Sequence, residues 1–272
     1  MRSVIVQALD ARVRIDAPDP VGALFADVFG DLTNHDNGCR GNASNRIAWR
    51  SEGNDLWHVT LGESGHVSPT DVASGLAESI IEVNSCAARS VAVEAAVLHA
   101  GAFEVSRSAI AVTGVSGAGK STLVAAAVLR GHGFLADEVC AIDPATHRVR
   151  PYHRPIGLRA HGAAAIGVPI PAHALDPYTT VYPWQVSRRG RLAGAAPLRL
   201  VALARRRPGP VEIEPVHPAE ALVRLTALTL GTDGVERSMF RRLDQLVREI
   251  HVVTVSYEDS CAAVDALAEM VR

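Results

Sequence analysis

At 272 residues the chain can form one large domain or two small ones with a proper core. Its 48% hydrophobic and 21% charged residues describe a globular, soluble chain. A formal net charge of −2 lacks the basic excess of a general nucleic-acid or membrane-surface binder, and no apolar run of about 20 residues offers a transmembrane helix, so neither nucleic acid nor membrane is an expected partner.

The N-terminal run meets Asp10, Arg12 and Arg14 too soon for a signal peptide. Residues 1–95 read as a small α+β unit. VIVQAL (4–9) and ARVRID (11–16) are short strands, and PVGALFADVFG (20–30) is a helix begun by Pro20 and capped by Asp19. The polar stretch 33–45 is a loop, and 46–61 alternates about SEGND as a hairpin. Ser68-Pro69-Thr70-Asp71 opens a helix to about Ala88, with Val72, Leu76, Ile80 and Val83 at helical spacing.

Residues 96–272 read as an α/β domain. AVLHAGAFEV (96–105) and SAIAVTG (108–114) form a hairpin about a two-residue turn at Ser106-Arg107, which sets His99 opposite Gly114. STLVAAAVLRG (121–131) is the next helix, and FLADEVCAID (134–143) the next buried strand, expected beside SAIAVTG in a parallel sheet. Residues 146–197 lack periodicity and read as an irregular lid or binding region. A strand (197–206), two amphipathic helices (218–231 and 236–250), a strand (251–257) and a closing helix (260–272) follow. The four cysteines, Cys39, Cys86, Cys140 and Cys261, are widely spaced, with no C-x-x-C pair. They fit reduced thiols in a cytoplasmic protein rather than a zinc site or disulfide framework.

GVSGAGKS (114–121) matches G-x-x-x-x-G-K-[ST], and it follows an apolar strand and opens a helix, the context that gives the pattern meaning. Gly114, Ser116, Gly117, Ala118 and Gly119 form the turn, whose backbone N–H groups converge on phosphates at the positive helix end with Lys120, Ser121 and Thr122. Lys120 reaches the β- and γ-phosphates of a nucleoside triphosphate, ATP by default, and the Ser121 hydroxyl ligates Mg²⁺. Lys120 is the only lysine in the sequence; the other 26 basic residues are arginines. A compact ammonium suits the gap between phosphates better than a planar fork. Asp137 and Glu138 interrupt the next apolar strand and resemble a Walker B element. His99 is a candidate for tuning Asp137.

Together, LHAGA around His99, the loop, RGHG (130–133) and LADE (135–138) resemble the HPr kinase/phosphorylase family, and the spacings from His99 to Lys120 and from Lys120 to Asp137 agree with that family. The resemblance implies a P-loop kinase domain of HPr kinase/phosphoenolpyruvate carboxykinase-like type behind the small N-terminal α+β unit. It implies Asp137 as general base toward an attacking hydroxyl, His99 as its modulator, Lys120 and the loop amides on ATP, and Ser121 with Glu138 on Mg²⁺. Two departures stand out. Glu138 replaces a second aspartate, and RPIGLR (154–159) lacks the glutamate of the E-[IL]-R-G-x-G signature of the bifunctional enzymes. Relatives without that signature include kinases that phosphorylate a peptide serine and kinases that act on small hydroxylated molecules in biosynthetic pathways. A hydroxyl-bearing peptide or small molecule is therefore the implied acceptor, with Arg154 and Arg159 as further cations and homo-oligomerisation as in the full family. The residues leave open an ATPase, or a nucleotide-binding regulator, with no organic acceptor.

Overall fold

The computed structural model describes residues 1–35, 45–62, 65–169, 179–181 and 190–272. Most of the 33–45 loop, Cys39 and much of the 146–197 region therefore lie outside the described residues. The chain forms two compact units, Met1–Ser90 and Val91–Arg272.

The first unit is a six-stranded sheet. In chain order its strands are β1 (Arg2–Ala8), β2 (Ala11–Ala17), β3 (Thr33–His35), β4 (Asn45–Gly53), β5 (Leu56–Leu61) and β6 (Gly65–Thr70), arranged β3-β1-β2-β4-β5-β6. Among the described residues of this sheet, only β2 and β4 pair in parallel. Helices α1 (Asp19–Phe29) and α2 (Val72–Val91) accompany it. Asp19 is the first residue of α1 and not its cap, and no side chain caps that end. The second helix starts later than the sequence predicts, because Thr70 still belongs to β6. Asp71 caps it by accepting from the Ser74 N–H at 2.8 Å. Val4, Ile15, Phe25, Phe29, Trp49 and Val59 are buried core residues. Gly75 lets α2 approach the sheet, since a Cβ there would lie 2.6 Å from the Trp49 ring. The Trp49 indole N–H is satisfied by the Ser79 hydroxyl at 3.2 Å.

The second unit is a mixed sheet with helices. Strands β7 (Ala96–Val105) and β8 (Ser108–Thr113) pair as a hairpin, with Ala100 opposite Thr113. Ser106 and Arg107 both have positive φ, the conformation that a two-residue turn between twisted strands requires. Helix α3 (Lys120–Leu129) follows the glycine loop and is buried from Thr122 to Val128, so it is apolar almost all round.

The next strand departs from expectation twice. It is broken into β9 (Gly133–Ala136) and β10 (Val139–Ile142), with Asp137 and Glu138 between them. Both halves pair antiparallel with β7. Neither lies beside β8, because β7, its hairpin partner, already occupies that edge. The parallel neighbour of β8 is instead β15 (Ala196–Arg206), which also pairs in parallel with β17 (His251–Tyr257). Strand β11 (Arg148–Arg150) links β10 to the start of β15, so the pairings β7-β8-β15-β11-β10 close a ring.

The region read as irregular contains short elements: β12 (Ile156–Leu158), α4 (Ala160–Ala165), β13 (Thr179–Val181) and β14 (Arg191–Leu192). Strand β16 (Glu212–Pro215) edges β17, and helices α5 (Pro218–Thr226), α6 (Glu236–Glu249) and α7 (Ser260–Glu269) complete the unit. One core joins Ile110, Leu123, Leu200, Val255, Tyr257 and Val264, so α3 and α7 lie over the same face of β8, β15 and β17. Cys86 and Cys140 are free and buried, and Cys261 is free and partly buried. Among the described residues no helix is long and apolar enough to cross a membrane.

Candidate phosphate loop and carboxylate site

The loop between β8 and α3 owes its path to glycine. Gly114, Gly117 and Gly119 all have positive φ, at 145°, 83° and 93°. Two of them also allow close approaches: a Cβ on Gly114 would lie 3.0 Å from the Ala204 carbonyl oxygen, and one on Gly119 2.4 Å from the Tyr257 hydroxyl. The loop is thus seated on the carboxyl ends of β15 and β17, the end of an α/β sheet where ligands bind. Its crest, Val115-Ser116-Gly117, is exposed, while Ala118 and Lys120 are buried.

Lys120 donates to the Gly114 carbonyl oxygen at 3.1 Å and the Val115 carbonyl oxygen at 3.5 Å. Burial lowers its pKa, and the charges of Glu138 and Asp137 oppose that. Ser121, one residue on, donates its hydroxyl to Asp137 Oδ1 at 2.9 Å. This bond joins the first turn of α3, at the end of the loop, to the acidic pair.

Asp137 is 1% exposed. Its Oδ2 accepts the Gly157 N–H at 2.9 Å and faces an Arg154 guanidinium nitrogen at 3.6 Å, and Arg154 Nε donates to the Asp137 carbonyl oxygen at 3.3 Å. Burial, reinforced by the Glu138 charge, raises the Asp137 pKa; Arg154, Gly157 and Ser121 only partly offset it. Gly101 faces this carboxylate and also admits α3, since a Cβ there would lie 2.5 Å from Val124 Cγ2 and 3.5 Å from Asp137 Oδ1.

Glu138 has φ 75°, unusual for a residue with a Cβ. Its Oε2 lies 2.8 Å from His99 Nε2, and both side chains are about one-third exposed (34% and 35%). Burial would push the Glu138 pKa up, but the His99 hydrogen bond and the Arg154, His99 and Lys120 charges together hold it down at about 2. The direct partner of His99 is therefore Glu138, the neighbour of the Asp137 that the sequence reading has it tune; Val139, the next residue, is its backbone neighbour across β7–β10. The Thr113 hydroxyl donates to the His99 carbonyl oxygen at 2.8 Å and ties this strand to the end of β8.

The structure thus brings His99, Lys120, Ser121, Asp137 and Glu138 together. Arg154 joins the group through Asp137, and Arg159, the residue before α4, is close enough to depress the Lys120 pKa. Gly162 of α4 packs against Thr122, whose Oγ1 would be 2.7 Å from a Cβ at that position. Sequence reasoning passed over Gly157 and Tyr257. The G-L pair after Arg154-Pro155-Ile156 carried no local signal for a carboxylate-binding N–H, and Tyr257 read only as the end of a buried strand.

Among the described residues no cluster of three or more His, Cys, Asp or Glu could enclose a metal ion. The Ser121 hydroxyl and the Glu138 carboxylate are nonetheless hard oxygen donors, suited to Mg²⁺ that draws its remaining ligands from phosphate and water.

No family model matches the chain, and no curated protein matches it. Among solved structures, the HPr(Ser) kinase/phosphatase from Coxiella burnetii aligns over 65% of this chain and 88% of its own, at 12% identity and a TM-score of 0.33. The likeness is a distant one.

Proposed function

We propose that the chain is a kinase that transfers the γ-phosphoryl group of ATP to a hydroxyl of a peptide or small molecule. The observation that carries this reading is the hydrogen bond from Ser121 to Asp137, which couples the glycine loop to the buried carboxylate of the acidic pair. The loop amides and Lys120 hold the triphosphate. Ser121, with Glu138, would hold Mg²⁺, which supplies charge neutralisation on the phosphates when bound. In the transfer, the acceptor oxygen bonds to the γ-phosphorus, the bond to the β,γ-bridging oxygen breaks, and ADP leaves. The acceptor proton goes to a carboxylate, which we assign to Asp137. Its pKa, raised by burial, makes it a better proton acceptor than an ordinary aspartate.

One observation favours a second assignment within the same reaction. Asp137 is enclosed by Ser121, Gly157 and Arg154, whereas Glu138 is one-third exposed and braced by His99. In that reading Glu138 takes the proton and Asp137 orients Ser121.

The test is turnover of ATP·Mg²⁺ with panels of serine peptides and small alcohols, read by mass spectrometry of the acceptor. The proton acceptor is the carboxylate whose amide variant, Asp137→Asn or Glu138→Gln, loses about 10²–10⁴-fold in transfer. ATP consumption with no phosphorylated acceptor in any panel would support an ATPase instead. Tight binding without turnover would support a regulator.

A further inference from the structure

Tyr257 ends β17 and is fully buried, yet its hydroxyl is not idle. It donates to the Ala118 carbonyl oxygen at 2.9 Å, reaching a loop 139 residues earlier in the chain. The approach is so close that only glycine fits at 119. Burial pushes the phenol pKa up to about 12, so the group stays a protonated donor.

The consequence is stereochemical. A trans peptide holds its C=O and N–H on opposite sides. With the Ala118 carbonyl drawn inward onto Tyr257, the Gly119 N–H of the same peptide faces away from the core. Among the described residues no acceptor meets that N–H. It stands at the head of α3, beside the Lys120 and Ser121 N–H groups that a helix leaves without intrahelical partners. The Ala118 N–H, by contrast, is already used, donating to the Val115 carbonyl oxygen at 3.1 Å.

We infer that Tyr257 is a positioning residue for phosphate recognition: its hydroxyl fixes the Ala118–Gly119 peptide so that the Gly119 N–H is presented to the nucleotide's phosphates. This rests on the reading of the loop as a nucleotide site. A hydroxyl acting on one peptide in this way affects every ligand that carries the phosphates and none that lacks them.

The test is calorimetric titration of Tyr257→Phe, which keeps the ring and removes only the hydroxyl, with ATP and with inorganic triphosphate. Affinity should fall about three- to tenfold, by the same factor for both ligands, the size expected for one hydrogen bond. Val253→Ala, a core truncation on the same strand away from the loop, should lower the melting temperature at least as much and leave both affinities unchanged. Wild-type affinity in Tyr257→Phe, or an equal loss in Val253→Ala, overturns the role of the tyrosine while the nucleotide reading stands. If the unmodified protein binds neither ATP nor triphosphate, both fall together.

Discussion

Glu138 carries strain and chemistry at the same position. A non-glycine residue at φ 75° costs on the order of 1–3 kcal/mol, and here it turns the side chain onto His99. Glu138→Gly should therefore remove strain and function together: stability unchanged or raised by about 1 kcal/mol in urea unfolding, with phosphoryl transfer lost. Lower stability with transfer intact would contradict this. At this scale the sequence was legible where chemistry is written locally. The loop glycines, Lys120 and Ser121 form one contiguous pattern, and Asp137-Glu138 stands out as two acids in an apolar strand. His99 was legible as a neighbour of the loop through the hairpin, but not its choice of carboxylate. That choice follows from the backbone kink at Glu138, which no residue type announces. Tyr257 was not legible at all, because its partner is set by packing far away in the chain.

Elements bring these residues together through close approaches. Helix α3 lies on β7 only because position 101 has no side chain, and the same gap leaves room for Asp137. Gly101→Ala should force Val124 aside and destabilise the protein by about 1–3 kcal/mol in urea unfolding; unchanged stability would mean that α3 is not held where we describe it. The hairpin register was readable, since a two-residue turn fixes which residues face each other. The order of strands across the sheet was not. An apolar run with a preceding helix is equally compatible with lying beside β8 or beyond β7, and the difference is decided by β7 filling the edge. Short elements such as β12 and α4 escaped for a related reason: six residues or fewer carry too little periodicity to detect.

The whole molecule is two units, each with its own core, and the first is tied by a charge cluster independent of the loop. Asp16 is buried and accepts from Ser3 at 2.5 Å, Arg14 at 2.9 Å and Arg46 at 2.7 Å. Burial alone would raise its pKa, but these three partners together lower it below 3.8. A depressed carboxylate stabilises the fold above its unfolded pKa and loses that contribution as pH falls through the folded one. Asp16→Asn should thus lower stability by about 1–3 kcal/mol at neutral pH, with the gap to the unmodified protein closing below pH 3.8. A gap independent of pH would show that the charge is not what matters. The central claim, that the loop is a nucleoside triphosphate site built around the chain's one lysine, is tested most directly by titrating ATP·Mg²⁺ into the intact protein and into Lys120→Met. The account predicts saturable binding at one site per chain, weakened by at least about tenfold in the variant whose fold is unchanged. Equal binding by both proteins would contradict it.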